Sequence, residues 1–190
     1  MTKQTDLRLP DKLELFHRGS HIEIVRKWFG GKIVVQTVFA IFGSGGFLYM
    51  IPKRLPSESL EASIFFWLIC AAIVIWLTYY LVAGWLNRTH ILVGGGKITV
   101  RHRPIPWVGN LELGVSNLKQ LYSTEKISRI RSSASSYEVV TYEVHAVTPN
   151  GRDIMLVRDL ETSAQALYIE QEIEKCLGIE DTPVHGEVGG

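Results

Sequence analysis

The chain has 190 residues and a formal net charge of +1, with twenty Lys and Arg against nineteen Asp and Glu. That balance argues against the strongly basic surface of a dedicated nucleic-acid binder, so no nucleic-acid partner is expected. Two cysteines, Cys70 and Cys176, make neither a disulfide framework nor a CxxC metal or redox motif.

Residues 1–32 are polar and alternating, with neither a seven-residue apolar core nor a small-residue cleavage site, so no cleavable signal peptide is expected. Within them Leu13, Leu15 and His17 alternate with Lys12, Glu14 and Phe16. After Arg18-Gly19-Ser20 a second alternation runs through Ile22, Ile24 and Arg26, which predicts a β-hairpin. A lone two-stranded hairpin is marginal in water, so these strands need a larger sheet to join.

Two uncharged apolar runs follow, Ile33 to Ile51 and Ser63 to Trp85. At about 1.5 Å of rise per residue, they reach roughly 28 and 34 Å, near the roughly 30 Å of a bilayer's hydrocarbon core. The expectation is two transmembrane helices, 33–51 and 63–86, joined by an external loop, 52–62. Arg18, Arg26, Lys27 and Lys32 precede the first run, and Arg88, Lys97, Arg101 and Arg103 follow the second. Only Lys53 and Arg54 lie between, which places both termini in the cytoplasm of a multi-pass inner-membrane protein. The first run must then act as insertion signal, and Trp28, Tyr49, Tyr79, Tyr80 and Trp85 suit the lipid interfaces.

Past the runs, Thr89–Val93 and Lys97–Arg103 flank Gly94-Gly95-Gly96 as a second hairpin. Further strands are predicted at Val115–Ser123, Tyr137–Val147 and, after Pro149-Asn150-Gly151, Asp153–Val157. A helix follows: Thr162-Ser163-Ala164-Gln165 fits a capping box, apolar positions recur at Ala166, Ile169, Ile173 and Leu177, and Gly178 supplies a left-handed stop. Residues 180–190 read as a flexible tail.

Two strands before the apolar runs and five after them, closed by a helix, follow the order of a pleckstrin-homology-like domain. With Asn87-Arg88-Thr89, Arg103-Pro104-Ile105-Pro106-Trp107, Gln120-Leu121-Tyr122 and Glu170-Gln171-Glu172-Ile173-Glu174, the chain resembles uncharacterised bacterial two-span membrane proteins that carry such a domain. The resemblance covers residues 86–184 and implies a membrane-anchored α+β fold: a two-helix transmembrane hairpin inserted into a PH-like antiparallel β-barrel of about seven strands, capped by the C-terminal helix. Residues 1–32 would complete the barrel and 87–179 form its body. A fold of this kind does not give function.

No catalytic, cofactor or metal constellation is read from the sequence, so an enzyme is not expected. The six histidines show no HExxH motif, and no GxSxG or phosphate-loop motif lies outside the apolar runs. Gly43-Ser44-Gly45-Gly46 sits inside the first run, where Ala40, Gly43 and Ser44 suit close helix packing. The corner Arg103, Pro104, Pro106 and Trp107 is the candidate interaction site: two prolines break a ladder, and an exposed Trp suits a partner or a lipid interface. Arg18 and His21 in the first hairpin turn lie where the resemblance implies phosphate contact, with Ser20 standing where a further Arg belongs. Lys126, Arg129 and Arg131, among serines, read as a second basic loop that meets anionic lipid. The functional expectation is a non-catalytic accessory, assembly or scaffold component that binds a protein partner or its own copies. The alternatives are an anionic-lipid sensor and a small oligomeric channel subunit lined by Gln36, Thr37 and Ser44.

Overall fold

The structure, a computed structural model, describes residues 8–50, 60–131 and 136–179. The chain divides into two compact units, Met1–Lys27 with Arg88–Gly190, and Trp28–Asn87.

The first unit is built on two antiparallel sheets. Strands β1 (Leu13–Arg18), β2 (His21–Lys27), β3 (Arg88–Gly94), β4 (Lys97–Arg103) and β5 (Leu111–Gly114) lie side by side in that order. Strands β6 (Gln120–Arg131), β7 (Ser136–Val147) and β8 (Asp153–Leu160) make the second sheet. The period-two pattern does what it should: Ile22, Ile24, Ile91, Val93, Ile98 and Val100 point to one face and are buried. Against them pack Leu121, Val144 and Ala146 from the second sheet, with Ala166, Ile169 and Ile173 from helix α3 (Ser163–Leu177). Thr162 caps α3 by accepting from the Gln165 N–H at 3.3 Å, while the Gln165 side-chain oxygen accepts from the Glu161 N–H. Gly178 ends the helix with φ +65°.

The sheets are joined by side chains where no ladder connects them. Between Tyr142↔Leu160 and Val144↔Val157 the register shifts, so β8 carries a bulge at Arg158 and Asp159, the latter with φ +56°. Its carbonyls accept from the Arg26 guanidinium, at 2.9 Å from Nη1 to Arg158 O, with a second bond from Nη2 to Asp159 O. Lys12 pairs with Glu161 at 2.7 Å, and Gln165 Nε2 donates to Asp11 O.

In the second unit, α1 (Gly31–Met50) and α2 (Leu60–Leu86) meet where Ile33 packs against Gly84, a close approach that a Cβ at residue 84 would block. Trp85 Nε1 donates to Thr37 Oγ1 at 2.9 Å, and the Trp85 ring lies 4.9 Å from that of Phe29.

Three expectations are corrected. Among the described residues the β-structure has eight strands where about seven are expected, and it forms two separate sheets rather than a closed barrel. The reason is local: Leu111–Gly114 is a short strand of its own, and the 3-10 turn Val115–Asn117 interrupts the stretch read as one strand from Val115. Among the described residues only one helix, α2, is long and apolar enough to cross a membrane; over its most apolar window the mean hydropathy is 2.3. The described part of α1 carries Lys32, Gln36, Thr37 and Gly43-Ser44-Gly45-Gly46. The two-span hairpin and the multi-pass localisation with both termini cytoplasmic are therefore not supported; a single candidate anchor replaces them. The basic stretch from Lys126 is strand, since β6 and β7 pair without interruption from Gln120↔Val147 to Arg131↔Ser136. Among the described residues a Cβ at Gly43, Gly45 or Gly46 would meet nothing, and Ser44 bonds back to Ile41 O. Ala40 is half-buried. Most of the expected external loop and the expected tail lie outside the described residues.

Candidate functional site

The outer face of the second sheet carries a chain of polar side chains that sequence reading passed over. Tyr122 on β6 lies directly opposite His145 on β7, and Thr124 opposite Glu143, so the alternation puts Tyr122, Lys126, Glu143 and His145 on one face. Tyr122 donates to Asp153 Oδ2 at 3.0 Å, His145 Nδ1 faces the same carboxylate at 3.0 Å, and His145 Nε2 faces Glu143 Oε2 at 3.2 Å. Lys126 Nζ completes the row on Glu143 Oε1 at 2.7 Å. Burial and the bond to Asp153 push the Tyr122 hydroxyl up to about 12, so it stays a donor. Burial alone would raise the Glu143 carboxyl, but the hydrogen bonds from Lys126 and His145 outweigh it and hold the group below the ordinary carboxylate range. The signal available in the sequence was the spacing of two: Glu143 and His145 share a face because they are two apart on a strand.

The Pro104–Asn110 corner folds back on its own sheet. Asn110 Oδ1 accepts from the His102 N–H at 2.8 Å, and His102 Nδ1 lies 3.0 Å from Thr89 Oγ1. Burial, then the charges of Arg158 and Arg26, push the His102 imidazole down. Gly109, at φ +110°, sits so close that a Cβ there would be 3.0 Å from His102 Nε2. Trp107 is half-buried rather than exposed, whereas Arg103, Pro104 and Pro106 are exposed and Val108 is 78% exposed. The corner thus presents an exposed Val108 next to a half-buried Trp107.

The candidate lipid contacts are not brought together as a free basic patch. Arg18 reaches Glu23 at 3.3 Å, and Glu23 also faces His90 Nδ1 at 2.9 Å. His21 packs against Gly94, where a Cβ would lie 2.3 Å from the ring, and bonds with Ser20 at 3.1 Å. Lys126 is held by Glu143, and Arg129 by Glu138 at 2.7 Å. Arg131 closes the β6–β7 ladder opposite Ser136, and its side chain lies outside what is described.

Chemically, the row is a satisfied hydrogen-bond network in which Tyr122 stays a donor and Glu143 stays an acceptor. Ser123 donates to Glu170 inside the core, where both are buried. Among the described residues no group of three or more His, Cys, Asp or Glu is placed to hold a metal ion. Compared with known proteins, the chain matches no protein-family model and no curated protein.

Proposed function

We propose that this chain is a membrane-anchored, non-catalytic accessory or scaffold component: α2 holds it at a membrane, and the Pro104–Asn110 corner of the β unit receives a protein partner. The observation that carries the reading is α2, a 27-residue helix with only 6% of its most apolar window buried, a surface that calls for lipid or protein around it. The corner supports the second half, because Val108 stands exposed beside a half-buried Trp on a backbone fixed by Asn110 and Gly109. Lipid sensing draws less support, since Arg18, Lys126 and Arg129 each face a carboxylate of their own chain. The channel reading loses Thr37, which bonds Ile33 O and Trp85.

The test is affinity purification of the full-length protein from host membranes washed with alkaline carbonate. The expected result is retention in the washed membrane together with a stoichiometric protein that Val108→Asp releases. Extraction by carbonate, or the same recovery with Val108→Asp, would overturn it.

A further inference from the structure

The two edges of the second sheet differ. On β8 the bulge at Arg158 and Asp159 breaks the regular edge, and its carbonyls are taken by Arg26. Along Glu125–Arg129 of β6 there is no such device: the strand pairs with β7 in unbroken register and carries no Pro, Gly or bulge. Edge strands without these devices are templates for another strand.

What covers this edge is written in its side chains. Glu125, Lys126, Ile127, Ser128 and Arg129 are all exposed, and Glu125 has no ion-pair partner among the described residues. In an antiparallel pairing of two β6 strands centred on Ile127, Glu125 of each copy stands opposite Arg129 of the other. Ile127 meets its own counterpart, and Lys126 meets Ser128. Glu125, Ile127 and Arg129 share one face, so both cross-strand ion pairs flank one apolar contact. Moving the centre to Glu125 or Arg129 sets like charges against each other. The same face carries Val140 opposite Ile127, and these two are 42% and 56% exposed, so the pairing extends an apolar row across both copies.

We propose that the free edge of β6 pairs antiparallel with β6 of a second copy of this chain, joining two three-stranded sheets into one of six strands with Ile127 at the twofold. The Arg129 guanidinium then lies between its own Glu138 and the partner's Glu125. The Pro104–Asn110 corner is not used, so either proposal can fail without the other.

The experiment is a concentration series of the full-length protein in mild detergent, with molar mass read by light scattering. Wild type should give a concentration-dependent dimer. Glu125→Arg and Arg129→Glu, each alone, put like charges opposite one another twice and should weaken the dimer about tenfold. The double variant Glu125→Arg with Arg129→Glu should restore it to within about threefold, with a single cooperative thermal unfolding transition as the check that all variants fold. A wild type that stays monomeric, single variants that dimerise as wild type does, or a double variant no better than the singles would each overturn the proposal.

Discussion

The two units of the chain place their large apolar side chains in opposite ways. In the β unit Ile24, Ile91, Ile98 and Ile169 have no exposed surface, whereas on the helices Phe39, Phe42 and Trp76 stand 74%, 77% and 65% exposed. The first unit is held by excluding water from a shared core. The helical unit keeps its contact to the Ile33–Gly84 approach and the Trp85–Thr37 bond and turns its apolar surface outward. One buries its apolar side chains, and the other exposes them.

That contrast breaks most sharply on a pair of truncations. Ile91→Ala should cost about 3–4 kcal/mol in denaturant unfolding of the β unit, because it empties a sealed core. Trp76→Ala, on α2, should leave the same transition within about 0.5 kcal/mol, because no sealed core is emptied. If both variants shifted the unfolding transition equally, the division into two kinds of unit would fall. Gly94→Ala comes next, at about 2 kcal/mol, since a Cβ there enters the His21 ring from a backbone at φ +154°; thermal unfolding reads it. Thr162→Ala should remove about 1 kcal/mol through the lost cap of α3, again read by thermal unfolding.

The smallest effect is pH-linked. The Glu143 carboxyl is held below its ordinary range when folded, so its contribution is present above the unfolded carboxylate's titration. It is lost as the pH falls through the depressed folded value. The stability gap between wild type and Glu143→Gln should therefore shrink on acidification. A gap that stays constant from neutral to acid pH would show that the charge of Glu143 contributes nothing.

The sequence made some elements plain and hid others for identifiable reasons. Both hairpins of the first sheet showed through strict alternation and glycine turns, and α3 through its cap, its apolar spacing and Gly178. β5 went unseen because four residues after a Pro- and Gly-containing corner carry too little period to register. The distal half of β6 reads as a basic loop because Lys126, Arg129 and Arg131 stand among serines; its ladder is set by β7, with Lys126–Glu143 and Arg129–Glu138 across it. The barrel failed to close because closure depends on the geometry of short pieces such as the 3-10 turn at Val115–Asn117, which no hydrophobic pattern encodes. Of the candidate site, the corner was visible as a proline-broken stretch, but the seating of Trp107 was not. The row from Tyr122 to Lys126 draws on three strands, so only the register between them could assemble it.

Lys27 and Arg88 are neighbours across the β2–β3 ladder, although the 60 residues Trp28–Asn87 lie between them in the chain. Bringing the ends of so long a segment together costs about 3–4 kcal/mol of chain entropy, which the ladder must offset. The same arrangement fixes an order of assembly on the ribosome. β1 and β2 emerge first, and a hairpin of that size is marginal alone. At about 5–20 residues per second, β3 follows only after about 3–12 seconds. For that interval the nascent chain carries an unfinished sheet edge, a window in which a chaperone or a second nascent copy can reach it before its own third strand does.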